Sequence, residues 1–100
     1  MRAAAVDANH AEMMAALRKL GADVVDIHWI GQHVPGFVDL AVCHRLRTWF
    51  VEVKMPGEDL NANEIRFWAA HQETMPLRLV RTVEDCVKLV EEECSEYSRT

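Results

Sequence analysis

Residues 37–54 read FVDLAVCHRLRTWFVEVK. In each of its two halves, 37–43 and 48–54, every second residue is a large apolar one, and a short polar link separates the halves. Such alternation is typical of two strands joined by a hairpin. One face of this hairpin collects only apolar residues, which are Val38, Leu40, Val42, Trp49, Val51 and Val53. An apolar face of this size packs against a core, and its burial fixes which residues of the two strands pair.

The other face of the hairpin carries the residues that could bind a metal ion or take part in catalysis. An even turn pairs Cys43 with Thr48 and therefore places Asp39 directly opposite Glu52. Lys54 lies two residues beyond Glu52 and shares its face. Like charges at opposed positions cost stability, and a hard divalent cation removes that cost. The alternative is a buried ion cluster in which Lys54 neutralises one of the acids.

Outside the hairpin, local patterns predict three helices and two more strands. The helices are expected over residues 7–20, from Asn61 to about Gln72, and after Thr82, and the strands over 23–30 and 77–81. The order is helix, three strands, helix, strand, helix. It predicts a one-domain α/β fold, in which the first three strands form an antiparallel meander and the last strand is a parallel neighbour.

Composition limits the classes of function. The chain has 100 residues, of which 50% are hydrophobic and 27% charged, as expected for one globular domain. No apolar run approaches the ~20 residues that span a bilayer, and the first residues do not resemble a signal peptide. The net charge of −5 argues against a simple basic nucleic-acid binder but not against carboxylate and metal chemistry.

Cysteine and histidine spacing predicts no structural metal site. The three cysteines include no C-x-x-C pair, so we expect free thiols in a reducing compartment. The five histidines are scattered and include no H-x-x-x-H pair on one helical face. The sequence therefore predicts neither a disulfide framework nor a zinc site.

An aspartate, a hairpin and then Glu-x-Lys form a pattern that resembles the PD-(D/E)XK nuclease superfamily, here Asp39 and Glu52-Val53-Lys54. The wider pattern is similar to the small stand-alone VRR-NUC-like nucleases of phages and prophages. It comprises residues 9–12 (NHAE), 17–21 (LRKLG), 36–40 (GFVDL) and Leu60 before a capped helix. Two positions depart from the family: Val38 stands where it has proline, and residues 64–68 (EIRFW) stand where it has Q-x-x-x-Y.

This resemblance implies one PD-(D/E)XK nuclease-like domain over residues 1–100 with a restriction-endonuclease-like core. That core has the order helix-strand-strand-strand-helix-strand(-helix), with helices flanking a mixed sheet. The implied activity is Mg²⁺- or Mn²⁺-dependent hydrolysis of phosphodiester bonds. The implied metal ligands are Glu12, Asp39, Glu52 and the carbonyl of Val53. The implied catalytic residues are Asp39, Glu52 and Lys54, with Lys54 orienting water or stabilising charge on the phosphate.

The implied partner is nucleic acid. We expect DNA as substrate, with selectivity for branched or nicked forms as in some relatives. Substrate contacts are assigned to Glu64, Arg45, Arg47 and Arg66. Because the basic footprint is small and cutting both strands needs two sites, we expect a two-fold homodimer. We expect it in the cytoplasm, encoded by a phage or prophage.

Two of these residues have an alternative role as helix caps. Asn9 with Glu12, and Asn61 with Glu64, each have the spacing of a capping box. The function also has alternatives: a catalytically inactive nuclease-fold module for nucleic-acid binding or assembly, or a ligand-binding α/β domain. The acidic balance and the changed second-helix motif favour the inactive module, whereas the opposed acids with their lysine favour the nuclease.

Overall fold

The fold is given by a computed structural model, which describes the backbone of residues 2–98 and the side chains of residues 9–91. The elements are α1 (Arg2–Lys19), β1 (Asp23–Asp26), a 3₁₀ helix (His28–Gln32), β2 (Leu40–His44), β3 (Arg47–Val53), α2 (Ala62–His71), β4 (Leu77–Val80) and α3 (Val83–Ser98). The predicted order of helices and strands is confirmed. Within the described part of the chain, no helix combines the length and apolar character that a membrane span requires.

The four strands form one mixed sheet in the order β1-β2-β3-β4. The pairs β1–β2 and β2–β3 are antiparallel, and β3–β4 is parallel. Cys43 pairs with Thr48, as the even hairpin predicted, and the ladder extends to the pair Leu40–Val51. The antiparallel meander and the parallel fourth strand are both confirmed.

Helices cover both faces of this sheet. The main core lies between the sheet and the helices α1 and α3, and its largest fully buried side chains include Trp49, Met13 and Leu17. A smaller core on the other face contains Phe67 of α2 packed with Val38 and Leu77. The sheet is thus the middle layer, and the face of β3 that carries Glu52 is the face toward α2.

The chain bends at Asp39, and this corrects the predicted start of the second strand. The ladder of β2 begins at Leu40, although the Asp39 N–H still donates to the Val51 carbonyl over 3.0 Å. Val38 therefore belongs to the smaller core and not to the face of Leu40, where the alternation had placed it.

The first predicted strand is too long. It ends at Asp26, because the Asp26 carboxylate accepts a hydrogen bond from the His28 N–H and the chain turns into the 3₁₀ helix. Trp29 consequently lies on the surface with 55% exposure. An aspartate that captures a backbone N–H two residues ahead is a common way to end a strand.

Gly36 allows the approach to β2 to pass directly against α2. Its φ is +84°, and a Cβ at this position would clash with the backbone carbonyl of Asn63. Gly57 has the similar φ of +86° but open space around it, so it is a matched control for backbone strain alone.

We expect Gly57→Ala to cost ~1–2 kcal/mol of unfolding free energy, and Gly36→Ala about 3 kcal/mol or more because the clash is added. Urea unfolding of both variants tests this; equal losses would show that the close approach does not exist.

Candidate active site

A pocket of about 120 Å³ opens where β3 ends, between α1 and α2. It is lined by Asn9, Asp39, Glu52, Val53, Lys54, Met55, Glu58 and Glu64. Four of these side chains are carboxyl groups and one is a lysine, so the pocket carries an excess of negative charge. The structure brings together Asp39, Glu52, Val53 and Lys54, which the sequence had placed in one site.

Asp39 lies at the open end of the hairpin, where both its side chain and its backbone carbonyl accept hydrogen bonds. Its Oδ2 accepts a hydrogen bond of 2.8 Å from the Val53 N–H, and its carbonyl accepts one of 2.9 Å from the Ile27 N–H. Burial raises the pKa of the Asp39 carboxyl despite the hydrogen bond from Val53. Asp39, which directly precedes β2, is therefore bonded to the end of β3 and to the residue after β1, while its carboxyl lines the pocket.

Glu52 is the most unusual group of the site because it is a carboxyl only 3% exposed. Its Oε1 is buried, and no other described residue donates a hydrogen bond to it. Burial, followed by the negative charge of Asp39, raises the pKa of Glu52 to about 10. Burial and its acidic neighbours thus favour the protonated form of Glu52, which hydrogen bonds with the carboxylates of Asp39 and Glu64.

Lys54 and Glu64 form the one short ion pair of the pocket. The Lys54 Nζ lies 2.8 Å from Glu64 Oε1 and 3.8 Å from Glu52 Oε2. Burial alone would lower the pKa of Lys54, but the hydrogen bond and charge of Glu64 outweigh it and the pKa is raised. Burial would likewise raise the pKa of Glu64, but hydrogen bonds from Glu52, Lys54 and the Asn61 N–H lower it. Lys54 therefore stays charged beside a neutral Glu52.

Glu64 forms the capping box that the sequence offered as an alternative, and it also holds Lys54, which differs from the substrate contact assigned to it. Its Oε1 accepts the Asn61 N–H over 2.8 Å, while its own N–H donates to the Asn61 side chain, which completes a capping box. The same carboxylate holds Lys54. Capping α2 thus aims Glu64 into the pocket.

Three residues of the pocket lining were not predicted as site residues: Asn9, Met55 and Glu58. Asn9 is buried in α1, and its Nδ2 donates a hydrogen bond of 2.6 Å to the Lys54 carbonyl. It lies one helical turn before Met13 on the buried stripe, and that spacing could have identified it. Glu58 accepts the Met55 N–H over 2.9 Å and closes the turn after β3, a position that no periodicity indicates.

Glu12, the metal ligand implied on the first helix, does not reach this pocket. Its side chain is exposed and lines a different depression together with Lys19 and Val83. The capping box between Asn9 and Glu12 does not form either, because both residues lie inside α1. The stripe of α1 that faces the sheet passes through Asn9, and Glu12 is turned away from it.

The arginines assigned to substrate binding lie elsewhere. Arg45 and Arg47 are at the hairpin turn, five or more residues from Glu52, which is ~16 Å along an extended strand. Arg45 lines another depression beside Glu91. Arg66 is exposed on α2, and its guanidinium donates to the Asn63 side chain over 2.6 Å. Among the described residues, no arginine lines the carboxylate pocket.

The donors of the pocket suit a hard divalent cation. Asp39, Glu52 and the carbonyl of Val53 offer oxygen only, and the volume has room for several water molecules as further ligands. The buried Glu52 Oε1 without a donor is the atom that such a cation would satisfy. The residues present therefore fit Mg²⁺.

Comparisons of the chain with protein-family models, curated proteins and solved structures find no match.

The raised pKa of Glu52 makes a prediction about folding without metal. Between pH 6 and 9 the folded chain keeps a proton on Glu52 that the unfolded chain has released. The free energy of unfolding therefore falls as pH rises, by up to ~1.4 kcal/mol per pH unit. Glutamine has nearly the shape of a protonated glutamate but does not titrate. The free energy of unfolding of Glu52→Gln should therefore be much less sensitive to pH over this range. Urea unfolding in EDTA measures the slopes, with Glu12→Gln as an exposed control; a wild-type slope in Glu52→Gln would contradict the burial argument.

Proposed function

We propose that this protein is a metal-dependent phosphodiesterase, a nuclease of the PD-(D/E)XK kind. The observation that carries the proposal is the buried Glu52 carboxyl, which lies next to Asp39 and Lys54 with one oxygen that no other described residue satisfies. Burying such a group without a hydrogen-bond partner lowers the stability of the fold. A function that uses the group would explain why this loss is tolerated. In a purely structural ion cluster we expect Lys54 to pair closely with Glu52, whereas its Nζ lies 3.8 Å from Glu52 Oε2 and 2.8 Å from Glu64 Oε1.

The order of elements and the mixed sheet support a restriction-endonuclease-like core. In that arrangement the acids lie on a central hairpin and the lysine follows on the same strand. The observed positions of Asp39, Glu52 and Lys54 agree with it. The alternation of β2 and β3 produces this placement without reference to any relative.

The residues of the pocket divide the chemistry between them. Asp39, Glu52 and the Val53 carbonyl would hold Mg²⁺, and Mn²⁺ is the substitute. The ion, when bound, supplies neutralisation of phosphate charge and a more acidic water. Lys54 donates to the attacking water or to the phosphate oxygens on which charge grows. Glu64 is a positioning residue, because it keeps Lys54 charged and aimed into the pocket. This replaces the substrate contact implied for Glu64.

The size of the pocket limits how a substrate binds. About 120 Å³ admits an ion with its waters but not a nucleotide, so the phosphodiester must lie across the mouth. A duplex presents its phosphates in this way on its outer surface. DNA is the substrate that we propose, with nicked and branched forms, which expose phosphates on bent backbones, as the favoured targets. A two-fold homodimer would provide the second site for cutting both strands.

An inactive module of the same fold is the second candidate. The net charge of −5 and the absence of arginine from the described lining of the pocket favour it. Such a module could bind the cation without turning over a substrate.

Cleavage separates these two functions. We expect the wild type to cut DNA in Mg²⁺, tested on supercoiled, linear, nicked and four-way substrates. Glu52→Gln and Lys54→Ala should each lower the rate on the order of 10²–10³-fold, and the double variant should lose little more because the residues act as a unit. Glu12→Gln should retain the wild-type rate, since Glu12 lies outside the pocket. Wild-type protein that cuts no substrate would support the inactive module, and equal cutting by Glu52→Gln would show that the cleavage does not use this pocket.

Metal binding can be tested without turnover. We expect Asp39→Asn to leave the metal-free protein as stable as the wild type or more stable, because burial disfavours a charge at this position and the amide oxygen can still accept the Val53 N–H. Mg²⁺ at a hundredfold excess over Kd should stabilise the wild type by ~2.7 kcal/mol, and each kcal/mol raises Tm by ~4–8 °C. Asp39→Asn should lose most of that shift, while Asp59→Asn, whose side chain is 95% exposed, should keep it. If Asp39→Asn is less stable than the wild type and Mg²⁺ stabilises neither protein, the pocket is a structural ion cluster.

A further inference from the structure

A second group of metal-binding side chains lies outside the carboxylate pocket. His10 comes from α1, Asp26 ends β1, and His28 begins the 3₁₀ helix. One potential ligand atom from each lies within 4.8 Å of the other two. The scattered histidines had predicted no such site, because His10 is far from Asp26 in the sequence and the turn that returns His28 to Asp26 was taken for strand.

The burial of His10 beside a carboxylate is the observation that requires an explanation. The residue is only 9% exposed, and its Nε2 lies 3.2 Å from Asp26 Oδ2. That nitrogen is buried, and its polar neighbour is the Asp26 carboxylate. The other oxygen of the same carboxylate contacts the Nδ1 of His28 at 2.7 Å. One carboxylate therefore lies between two imidazoles, one buried and one exposed.

The spacing of the ligand atoms suits a metal ion. Bonds of ~2.0–2.1 Å from zinc to nitrogen or oxygen, at tetrahedral angles, separate neighbouring ligand atoms by about 3.3 Å. The measured nitrogen-to-oxygen distances are 2.7 and 3.2 Å, so small rotations of the side chains would admit an ion. The two rings meet edge to face, with centroids 5.3 Å apart.

The site is also accessible. The side chains of Asp26 and His28 are 36% and 57% exposed, which leaves a path for the ion and room for water as the remaining ligands. Two imidazoles and one carboxylate are the donors that zinc and other divalent transition metals accept, whereas Mg²⁺ prefers oxygen alone.

We propose that His10, Asp26 and His28 bind one divalent transition-metal ion, with Zn²⁺ as the probe, at a site separate from the carboxylate pocket. The ion would connect α1 to the end of β1 and to the 3₁₀ helix. This site stands on its own geometry and does not depend on the nuclease function.

Calorimetric titration of the full chain with Zn²⁺, after removal of metal and in excess Mg²⁺, tests the proposal. We expect one Zn²⁺ per chain. His28→Ala and Asp26→Asn should each weaken binding by at least about tenfold, and His28 is exposed enough for its variant to fold. His33→Ala, an exposed histidine outside the cluster, should bind as the wild type does. Co²⁺ in place of Zn²⁺ should give visible absorption bands that His28→Ala alters.

Two results would overturn the proposal. One is equal Zn²⁺ affinity in wild type and His28→Ala. The other is loss of Zn²⁺ binding in Asp39→Asn with retention in His28→Ala, which would place the ion in the carboxylate pocket. Because Mg²⁺ stabilisation is measured separately, failure of the zinc site leaves the proposed nuclease site untouched.

Discussion

The register of β2 against β3 places the central acids of the candidate site, and burial of one apolar face determines the register. Leu40, Val42 and Val51 are fully buried on that face, and Trp49 is 1% exposed. A slip of one residue would turn these side chains toward α2 and push Glu52 into the main core. Glu52 is therefore buried because its neighbours require that register, and hydrophobic packing sustains the cost of a carboxyl in such a place.

The hairpin could be predicted from the sequence because its information is local. Alternation with period two and an even turn were sufficient to pair Cys43 with Thr48 and to bring Asp39 beside Glu52. The bend at Asp39 was not visible in that pattern, because it depends on hydrogen bonds to Val51 and Val53 from across the sheet. The early end of β1 has a similar cause. Asp26 competes with the ladder for a backbone N–H, and alternation carries no record of this competition.

The residue that α1 contributes to the pocket could have been predicted from helical periodicity. Family resemblance indicated Glu12, whereas the rotation of the helix is set by the burial of Met13 and Leu17. Asn9 lies on that stripe and Glu12 does not, so the helical period favours Asn9. The arginines of the hairpin turn illustrate the opposite limit: their charge suited a phosphate, but the length of the strands separates them from the acids.

Donor chemistry explains how the two proposed metal sites could lie close together without competing. Backbone contacts join them, since the Asp39 carbonyl accepts the N–H of Ile27, the residue after Asp26. The pocket offers carboxylates and a carbonyl, which suit an ion that keeps its waters. Imidazole nitrogens at His10 and His28 instead favour ions that form stronger bonds to nitrogen. Excess Mg²⁺ would therefore fill the first site and leave the second for Zn²⁺, so selectivity follows from the ligand atoms and not from distance.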